Sequence, residues 1–190
     1  MKKDLTGGGH SGVKYMINIR KAEKEDLFKV EEIYEAVHDA EERGDAVIGW
    51  VRGVYPTAET AKGALDRGDL FVLEDGEKVA ATAIINRVQV PEYSAAQWKH
   101  SAGDEEVMVL HTLVVDPLQK GKGYGKAFVA FYEAYAVKNG CFELRMDTNV
   151  INRAARAMYQ RLGYKEIGIV SCVFNGIPDV RLVCLEKNLA

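Results

Sequence analysis

Three glycines at alternate positions, interleaved with lysines, lie between a strand-like run and a helix-like run. Residues 107–115, VMVLHTLVV, are strongly β-branched, and residues 116–128, DPLQKGKGYGKAF, follow them. Each glycine in a regular element costs roughly 0.5–1 kcal/mol relative to alanine, so their use here indicates that the backbone approaches something closely. Amides at a helix N-terminus and the helix dipole favour an anion at such a place. The glycines Gly121, Gly123 and Gly125 therefore predict a phosphate cradle, with a tight turn on a basic edge as the alternative.

The order of hydrophobic patterns predicts an α/β fold with a mixed, mostly antiparallel central sheet flanked by helices. A short strand at 17–20 precedes a helix capped by Asp26, and a second helix begins at Thr57. Two strands flank an Asp75-Gly76 turn, and a polar loop occupies 91–104. Further along, the helix at the glycines ends near Gly140. The strand CFELRMDT, the helix NRAARAMYQRLG and two strands near 165–174 and 180–187 around the turn NGIPD follow.

The order is thus β-α-α-β-β-β-α-β-α-β-β, without an internal repeat or linker. Residues 1–15 are rich in glycine and polar side chains, which predicts a disordered N-terminal extension. Residues 16–190 are expected to form a single domain, a size that one hydrophobic core can support.

Charge and composition exclude several functional classes. The 190 residues carry a net charge of −3, which gives no electrostatic basis for binding nucleic acid or an anionic membrane. Three cysteines without a CxxC pair suggest neither a disulfide framework nor a metal site. This use of cysteine predicts a reducing compartment, so the expected location is the cytoplasm. No run of apolar residues approaches the length of a membrane span, and no apolar stretch follows the charged N-terminus as a secretory signal would require. A homodimer is left open.

Two familiar phosphate loops fit the glycines badly. A Walker A loop requires GxxxxGK[ST], whereas Gly121 and Gly125 are too close together and Ala127 follows the lysine. A dinucleotide fingerprint requires GxGxxG directly after a first strand, whereas the spacing here is GxGxG, several residues beyond the strand.

The segment LVVDPLQKGKGYGKAF resembles the acetyl-CoA-binding motif of the GNAT superfamily of N-acetyltransferases. The core [QR]xxGx[GA] aligns with Lys120, Gly121, Lys122, Gly123, Tyr124 and Gly125, with lysine at the first position instead of glutamine or arginine. A second motif of that family, NxxAxxxYxxxG[FY], matches Asn152, Ala155, Tyr159, Gly163 and Tyr164 at the same spacing. Two motifs in the right order, separated by a helix and a strand, make the resemblance specific.

The resemblance implies that acetyl-CoA is the acyl donor. In that family the strand before the glycine loop splays from its neighbour, so the backbone of Leu113 and Val115 is expected to bond the pantetheine amides. The amides from Gly121 to Lys126 are expected to hold the pyrophosphate, with Lys120, Lys122 and Lys126 adding positive charge. The thioester is then expected near the end of the strand ELRMDTN. Asn152 is expected to contact the cofactor side of the site or to cap the helix.

The implied reaction is direct attack of a primary amine on the thioester. Tyr159 is the expected general acid for the departing thiolate, with a core tyrosine as its alternative. Many relatives carry a glutamate base where this chain has Val109. His111, two residues on and on the same strand face, is therefore the expected base, since a histidine pKa near 6.5 suits that role. Glu105 and Glu106 are alternatives acting through water.

The acceptor is expected to meet the region of the first two helices and the long loop before the splayed strand. The residues there that suit a cationic amine are Trp50, Tyr55, Glu92, Tyr93 and Trp98. A small-molecule amine and a protein N-terminal or lysine amine both fit. A non-catalytic acyl-CoA-binding or sensing domain is the alternative function, and the missing glutamate is the feature that favours it.

Overall fold

The fold is described from a computed structural model, which describes residues 17–190. The expected disordered extension, residues 1–15, lies outside the described residues. Residues 17–190 form seven strands and four α-helices in the predicted order. The elements are β1 Ile17–Lys21, α1 Leu27–Glu42, α2 Ala58–Arg67, β2 Leu70–Asp75, β3 Lys78–Asn86, β4 Val107–Val115, α3 Tyr124–Lys138, β5 Glu143–Asn149, α4 Arg153–Arg161, β6 Lys165–Phe174 and β7 Ile177–Asn188.

The strands make one sheet in the order β1-β2-β3-β4-β5-β7-β6. Only β4 and β5 are parallel among the described strands, and every other neighbouring pair is antiparallel. Helices α1 and α2 cover one face, where Val30, Ile33 and Ala61 pack on β2 and β3. Helices α3 and α4 cover the other face, where Phe128 and Tyr132 pack on β4 and β5. The predicted α/β class with a mixed, mostly antiparallel sheet is confirmed.

Most of the predicted helix ends are confirmed, and two local predictions, a helix cap and a turn, are corrected. The Thr57 side chain accepts a hydrogen bond from the amide of Thr60, as an N-cap should. Asp26 does not cap α1 with its side chain, because its carboxylate accepts from the Glu23 amide (2.7 Å) and binds Arg20. The turn expected over NGIPD is shorter, because Asn175 and Gly176 both adopt positive φ and close a two-residue hairpin. Strand β7 therefore begins at Ile177.

The sheet opens at its centre. Pairing between β4 and β5 extends from Val107 to Leu110, and the register ends at Leu110–Met146 although both strands continue. Thr112, just beyond, has a φ of 49° and lies in a bulge against β3. A non-glycine residue in this region costs on the order of 1–2 kcal/mol, and such residues concentrate at functional sites. The bulge bends β4 away from β5 and leaves one edge of its last five residues without a strand partner.

Within the part of the chain that the structure describes, no helix is both long and apolar enough to cross a bilayer.

Candidate functional site

A cavity of about 540 Å³ lies where β4 and β5 diverge. Residues from the opened sheet line its floor, and α4, the segment before α2 and the β6–β7 hairpin line its walls. The sequence-predicted residues among its lining are His111, Leu113, Val115, Asn152, Tyr159, Trp50 and Tyr55. The divergence of two strands thus gathers side chains from elements as far apart in the sequence as α1 and β7.

The glycine loop joins the end of β4 to the N-terminus of α3. Gly121 (φ 87°) and Gly123 (φ 82°) both have left-handed backbone conformations, and a Cβ built on either one would point into open space. Ala127 is the residue whose amide donates to the Gly123 carbonyl, so the amides before it belong to the unpaired first turn of the helix. These two glycines therefore leave room beside donor amides, as a phosphate cradle requires.

Gly125 has a different reason to be glycine. A Cβ there would lie 3.1 Å from the Met158 sulfur on α4, closer than ordinary contact distance. The third glycine of the motif thus lets α4 pack closely on α3, which brings Asn152 and Tyr159 toward the loop.

The side chains of the loop divide into exposed and buried ones. Lys120, Lys122 and Lys126 are exposed, and Lys122 Nζ donates to Gln119 Oε1 (2.7 Å). The Tyr124 side chain is buried and its hydroxyl donates to an Asp75 carboxylate oxygen. A ligand at this loop could therefore contact the backbone amide of Tyr124 but not its ring.

Asn152 caps α4 and lines the cavity at the same time. Its side-chain oxygen accepts from the Ala155 amide at 3.1 Å, which confirms the cap that the sequence allowed. The cap fixes the first turn of α4 at the cavity wall, and Tyr159 lies about two turns after Asn152 on the same wall.

Tyr159 is 6% exposed and belongs to the core cluster under α3 and α4. Among residues 17–190 its hydroxyl has no hydrogen-bond partner, although it is at the cavity. Burial, and secondly the Asp147 carboxylate, raises the pKa of the Tyr159 phenol well above its usual value. The phenol is therefore protonated at neutral pH and its proton is available to a group in the cavity.

His111 also lines the cavity, but its environment makes it a weak base. Burial lowers the pKa of His111 to about 4 despite the nearby Asp69 carboxylate, below the value near 6.5 on which the sequence prediction relied. Its Nε2–H donates to Asn86 Oδ1 (3.1 Å), because the Asn86 amide nitrogen donates to Asp69 Oδ2 (2.8 Å). At neutral pH the imidazole is thus neutral.

The two alternative bases at the start of β4 are remote from the cavity. The Glu105 side chain is 92% exposed, and Glu106 accepts from the Gly103 amide (2.9 Å). His111 is five residues further along a strand that rises about 3.3 Å per residue, so these carboxylates are roughly 15 Å away or more. Neither residue lines the cavity.

Asp147 is a cavity residue that the sequence analysis missed. Its Oδ2 accepts from the Tyr93 hydroxyl at 2.8 Å, and burial raises the pKa of its carboxyl to about 7. The sequence feature that could have indicated it is an aspartate near the end of the strand ELRMDTN, where the thioester was expected. The sequence analysis placed the thioester at this strand end but did not consider Asp147 as a catalytic group.

The aromatic residues expected near an acceptor fall in two groups. Trp50 and Tyr55 line the cavity and pack edge to face with ring centroids 6.0 Å apart. Tyr93 is buried against Trp98, with centroids 4.9 Å apart, and reaches the cavity through its bond to Asp147. In residues 17–190 no cluster of three His, Cys, Asp or Glu side chains is arranged to hold a metal ion.

Known proteins resemble this chain in sequence. The sequence model of the acetyltransferase (GNAT) family matches residues 30–164. The uncharacterized N-acetyltransferase YhfO of Bacillus subtilis is 30% identical over 97 residues, which cover 51% of this chain and 58% of that protein. The uncharacterized N-acetyltransferase MJ1207 of Methanocaldococcus jannaschii is 33% identical over 73 residues, covering 38% and 32%. The chain therefore spans about a third to just over half of the length of these curated relatives.

Solved structures resemble the whole described fold. A GNAT family acetyltransferase from Streptococcus agalactiae 2603 has a TM-score of 0.75 at 19% identity, covering 90% of this chain and 95% of that one. YncA from Salmonella typhimurium, solved with its cofactor acetyl-CoA, has a TM-score of 0.63 at 18% identity, covering 92% and 94%. At these identities the likeness is one of fold.

Proposed function

The chain belongs to the acetyltransferase (GNAT) family, and from this premise we propose that it transfers an acetyl group from acetyl-CoA to a primary amine by direct attack. The observation that carries the proposal is the coincidence of three features at one opening in the sheet. An unpaired edge of β4 and a buried tyrosine without a hydrogen-bond partner among residues 17–190 line the cavity, and the glycine cradle at the N-terminus of α3 follows Val115, the last cavity residue of that edge, in the chain.

The cofactor would extend from the cradle into the cavity. The amides from Gly121 to Lys126 would hold the pyrophosphate, and the exposed lysines Lys120, Lys122 and Lys126 would add positive charge. The edge of β4 at Leu113 and Val115 would bond the pantetheine amides, as an added strand would. Asn152 would lie beside the arm, and the thioester would reach the wall that carries Tyr159.

The chemistry has two proton transfers. A primary ammonium has a pKa of about 10.4, so roughly one molecule in a thousand is a free amine at neutral pH and a group of the site must remove a proton. The thiolate of CoA, with a pKa of about 8.5, leaves more readily when it is protonated. Tyr159 is proposed as the acid because its phenol stays protonated and faces the cavity.

The acceptor is proposed to enter from the side of Trp50 and Tyr55, which line the cavity. A small-molecule amine and a protein N-terminal or lysine amine both have the required nitrogen. Thiol release from acetyl-CoA, followed with a thiol-reactive dye over a broad amine library, tests the proposal. Release with at least one amine supports it. A protein that binds acetyl-CoA and releases no thiol with any amine would instead be an acyl-CoA-binding domain.

Ligand-induced stabilisation should distinguish the proposed cofactor from other phosphates. CoA and acetyl-CoA at about 100 times their Kd should stabilise the fold by about 2.7 kcal/mol, which corresponds to a rise in Tm of roughly 5–10 °C for a chain of this size. ATP and NAD should do little, because the loop spacing fits neither of their motifs. Differential scanning fluorimetry checks this. A larger rise with ATP and Mg²⁺ than with CoA would contradict the cradle assignment.

His111→Ala should weaken acceptor binding more than it slows the chemical step. The neutral imidazole can accept a hydrogen bond from the amine, so we expect KM for the amine to rise while kcat changes less than about tenfold. Because the pKa of His111 is held near 4, its loss should not alter the rate profile between pH 6 and 8. If an ascending limb near pH 7 disappears in this variant, His111 is the base after all.

A further inference from the structure

Asp147 is a half-buried carboxylate that lines the cavity without a cationic partner among the described residues. Tyr93 donates to one of its oxygens at 2.8 Å, and within residues 17–190 no lysine or arginine forms a salt bridge with it. A buried charge is normally paired, since leaving it unpaired costs several kcal/mol. A carboxylate that lines a cavity with one neutral donor is therefore suited to a cation that comes from outside the chain.

Resting on the proposed function, we propose that Asp147 is the catalytic base, that it receives the acceptor as a primary ammonium, and that this acceptor has an aromatic or apolar body. The cavity walls around Asp147 are the reason for proposing an aromatic or apolar body. Trp50 and Tyr55 line the cavity, as do Phe174 and Ile177 from the β6–β7 hairpin. The other charged residues of the lining are Glu59, at an exposed position on α2, and Arg67, which is paired with Asp69 (2.9 Å), so Asp147 is the carboxylate of the lining that is left for an incoming cation.

Position on the sheet favours Asp147 over other groups for this role. Asp147 follows Met146, the last residue of β5 that pairs with β4, so it stands at the point where the strands open. Tyr159 faces the same space from α4, and its phenol responds to the Asp147 charge. Acid and base would thus flank the thioester from two elements, α4 and β5.

Proton affinity supports the same assignment. The pKa of Asp147, about 7, lies much closer to the value of about 10.4 for an alkyl ammonium than does the pKa of His111, about 4. The titratable groups that face Asp147 are Tyr93 and Glu92 from the loop at 91–95, Cys184 on β7, Cys172 on β6, Tyr159 on α4 and Tyr55. Glu92 raises the pKa of Asp147 and the Tyr93 hydrogen bond lowers it, while burial has the largest effect.

The step balances as follows. The ammonium gives one proton to the Asp147 carboxylate, and the amine nitrogen forms a bond to the thioester carbonyl carbon. The carbon–sulfur bond then breaks, and the sulfur takes the phenolic proton of Tyr159. The amide nitrogen, which still carries two protons, gives one of them to the Tyr159 phenolate and so restores the phenol. Asp147 releases its proton to solvent. The products are the acetamide, CoA as a thiol and one proton.

Asp147→Asn tests the base directly, with 2-phenylethylamine as acceptor and 1,4-diaminobutane as a dicationic comparison. The wild-type kcat/KM should rise with pH through about 7, because the charged carboxylate is the active form. The substitution should remove this limb and lower the rate about 10²–10⁴-fold, with acetyl-CoA affinity by calorimetry unchanged. The surface variant Asp66→Asn, a matched loss of one carboxylate, should behave as wild type.

Tyr93→Phe gives a second readout that keeps the carboxylate. Its hydroxyl stabilises the charged form of Asp147, so its loss should raise the pKa and move the limb to higher pH. An Asp147→Asn protein that turns over within about twofold of wild type, with the limb retained, would overturn the base assignment while leaving the proposed function standing. Preference for the diamine would overturn the acceptor class.

A measurement without turnover separates the two proposals. In protein labelled with ¹³C at aspartate carboxyl groups, the resonance missing from Asp147→Asn should titrate near pH 7 in the wild type. Titration near pH 4 would overturn the role of Asp147 even if the enzyme acetylates amines. A wild-type protein that releases no thiol with any amine would refute the proposed function, and the catalytic role of Asp147 with it.

Discussion

Gly123→Glu is expected to abolish acetyl-CoA binding. Gly123 has a φ of 82° and precedes the first turn of α3, and a side chain built there projects into the open space beside the helix amides. A glutamate would place a negative charge where the pyrophosphate is proposed to bind, so both its volume and its charge would oppose the ligand. Calorimetry should detect no heat of binding at concentrations that saturate the wild-type protein.

Gly140→Glu is a matched control for the backbone and for the charge. Gly140 also has a positive φ, 76°, and a Cβ there also meets open space. It follows the C-terminal end of α3, about 20 Å from the cradle along a helix of 15 residues. Both variants should lose a similar amount of stability, on the order of 1–2 kcal/mol. If Gly123→Glu binds acetyl-CoA as well as Gly140→Glu does, the phosphate assignment is wrong.

Much of the fold could be predicted because its signals are local. Strand alternation, the Thr57 cap and the glycines after α3 and α4 each depend on a few neighbouring residues, and the eleven elements appeared in the predicted order among the described residues. The NGIPD turn was predicted too long because Pro178 and Asp179 are common turn residues. In the structure Phe174, the last residue of β6, pairs with Ile177, the first residue of β7, so Pro178 and Asp179 belong to β7.

The chemistry of single groups was harder to predict because it depends on burial and on distant strands. The expected pKa of His111 assumed a solvated ring, whereas burial lowers that pKa to about 4. Asp147 is the first half-buried residue of β5 after four buried ones, and its partner Tyr93 is 54 residues away in the long segment before β4. Periodicity places a side chain on a face of a sheet. It does not indicate which loop covers that face.

Tyr159→Phe is expected to slow acetyl transfer about 10²–10⁴-fold while acetyl-CoA affinity and stability stay nearly unchanged. The hydroxyl has no hydrogen-bond partner among residues 17–190, so its removal takes no bond from the folded protein. A merely structural tyrosine that had such a bond would lose about 1 kcal/mol of stability and keep its turnover. Tm, calorimetric affinity and turnover on one preparation separate these outcomes.

Tyr164→Phe provides the matched control, because its ring packs against Tyr159 with centroids 6.1 Å apart. Its hydroxyl donates to Glu133 Oε1 at 3.1 Å, so this variant should lower Tm by a few degrees and leave turnover normal. Tyr159→Phe should thus lower turnover with little change in Tm, whereas Tyr164→Phe should lower Tm with little change in turnover.

The acid role also has an electrostatic consequence. The Asp147 carboxylate contributes to the raised pKa of Tyr159, so a proton taken up by Asp147 removes that contribution and makes the phenol a better donor when the thiolate leaves. Asp147→Asn and Tyr159→Phe should therefore be non-additive, with the double variant close to the slower single variant. A Tyr159→Phe protein that turns over within about twofold of wild type would exclude its hydroxyl from the mechanism. Additive losses in the double variant would show that the two groups act independently.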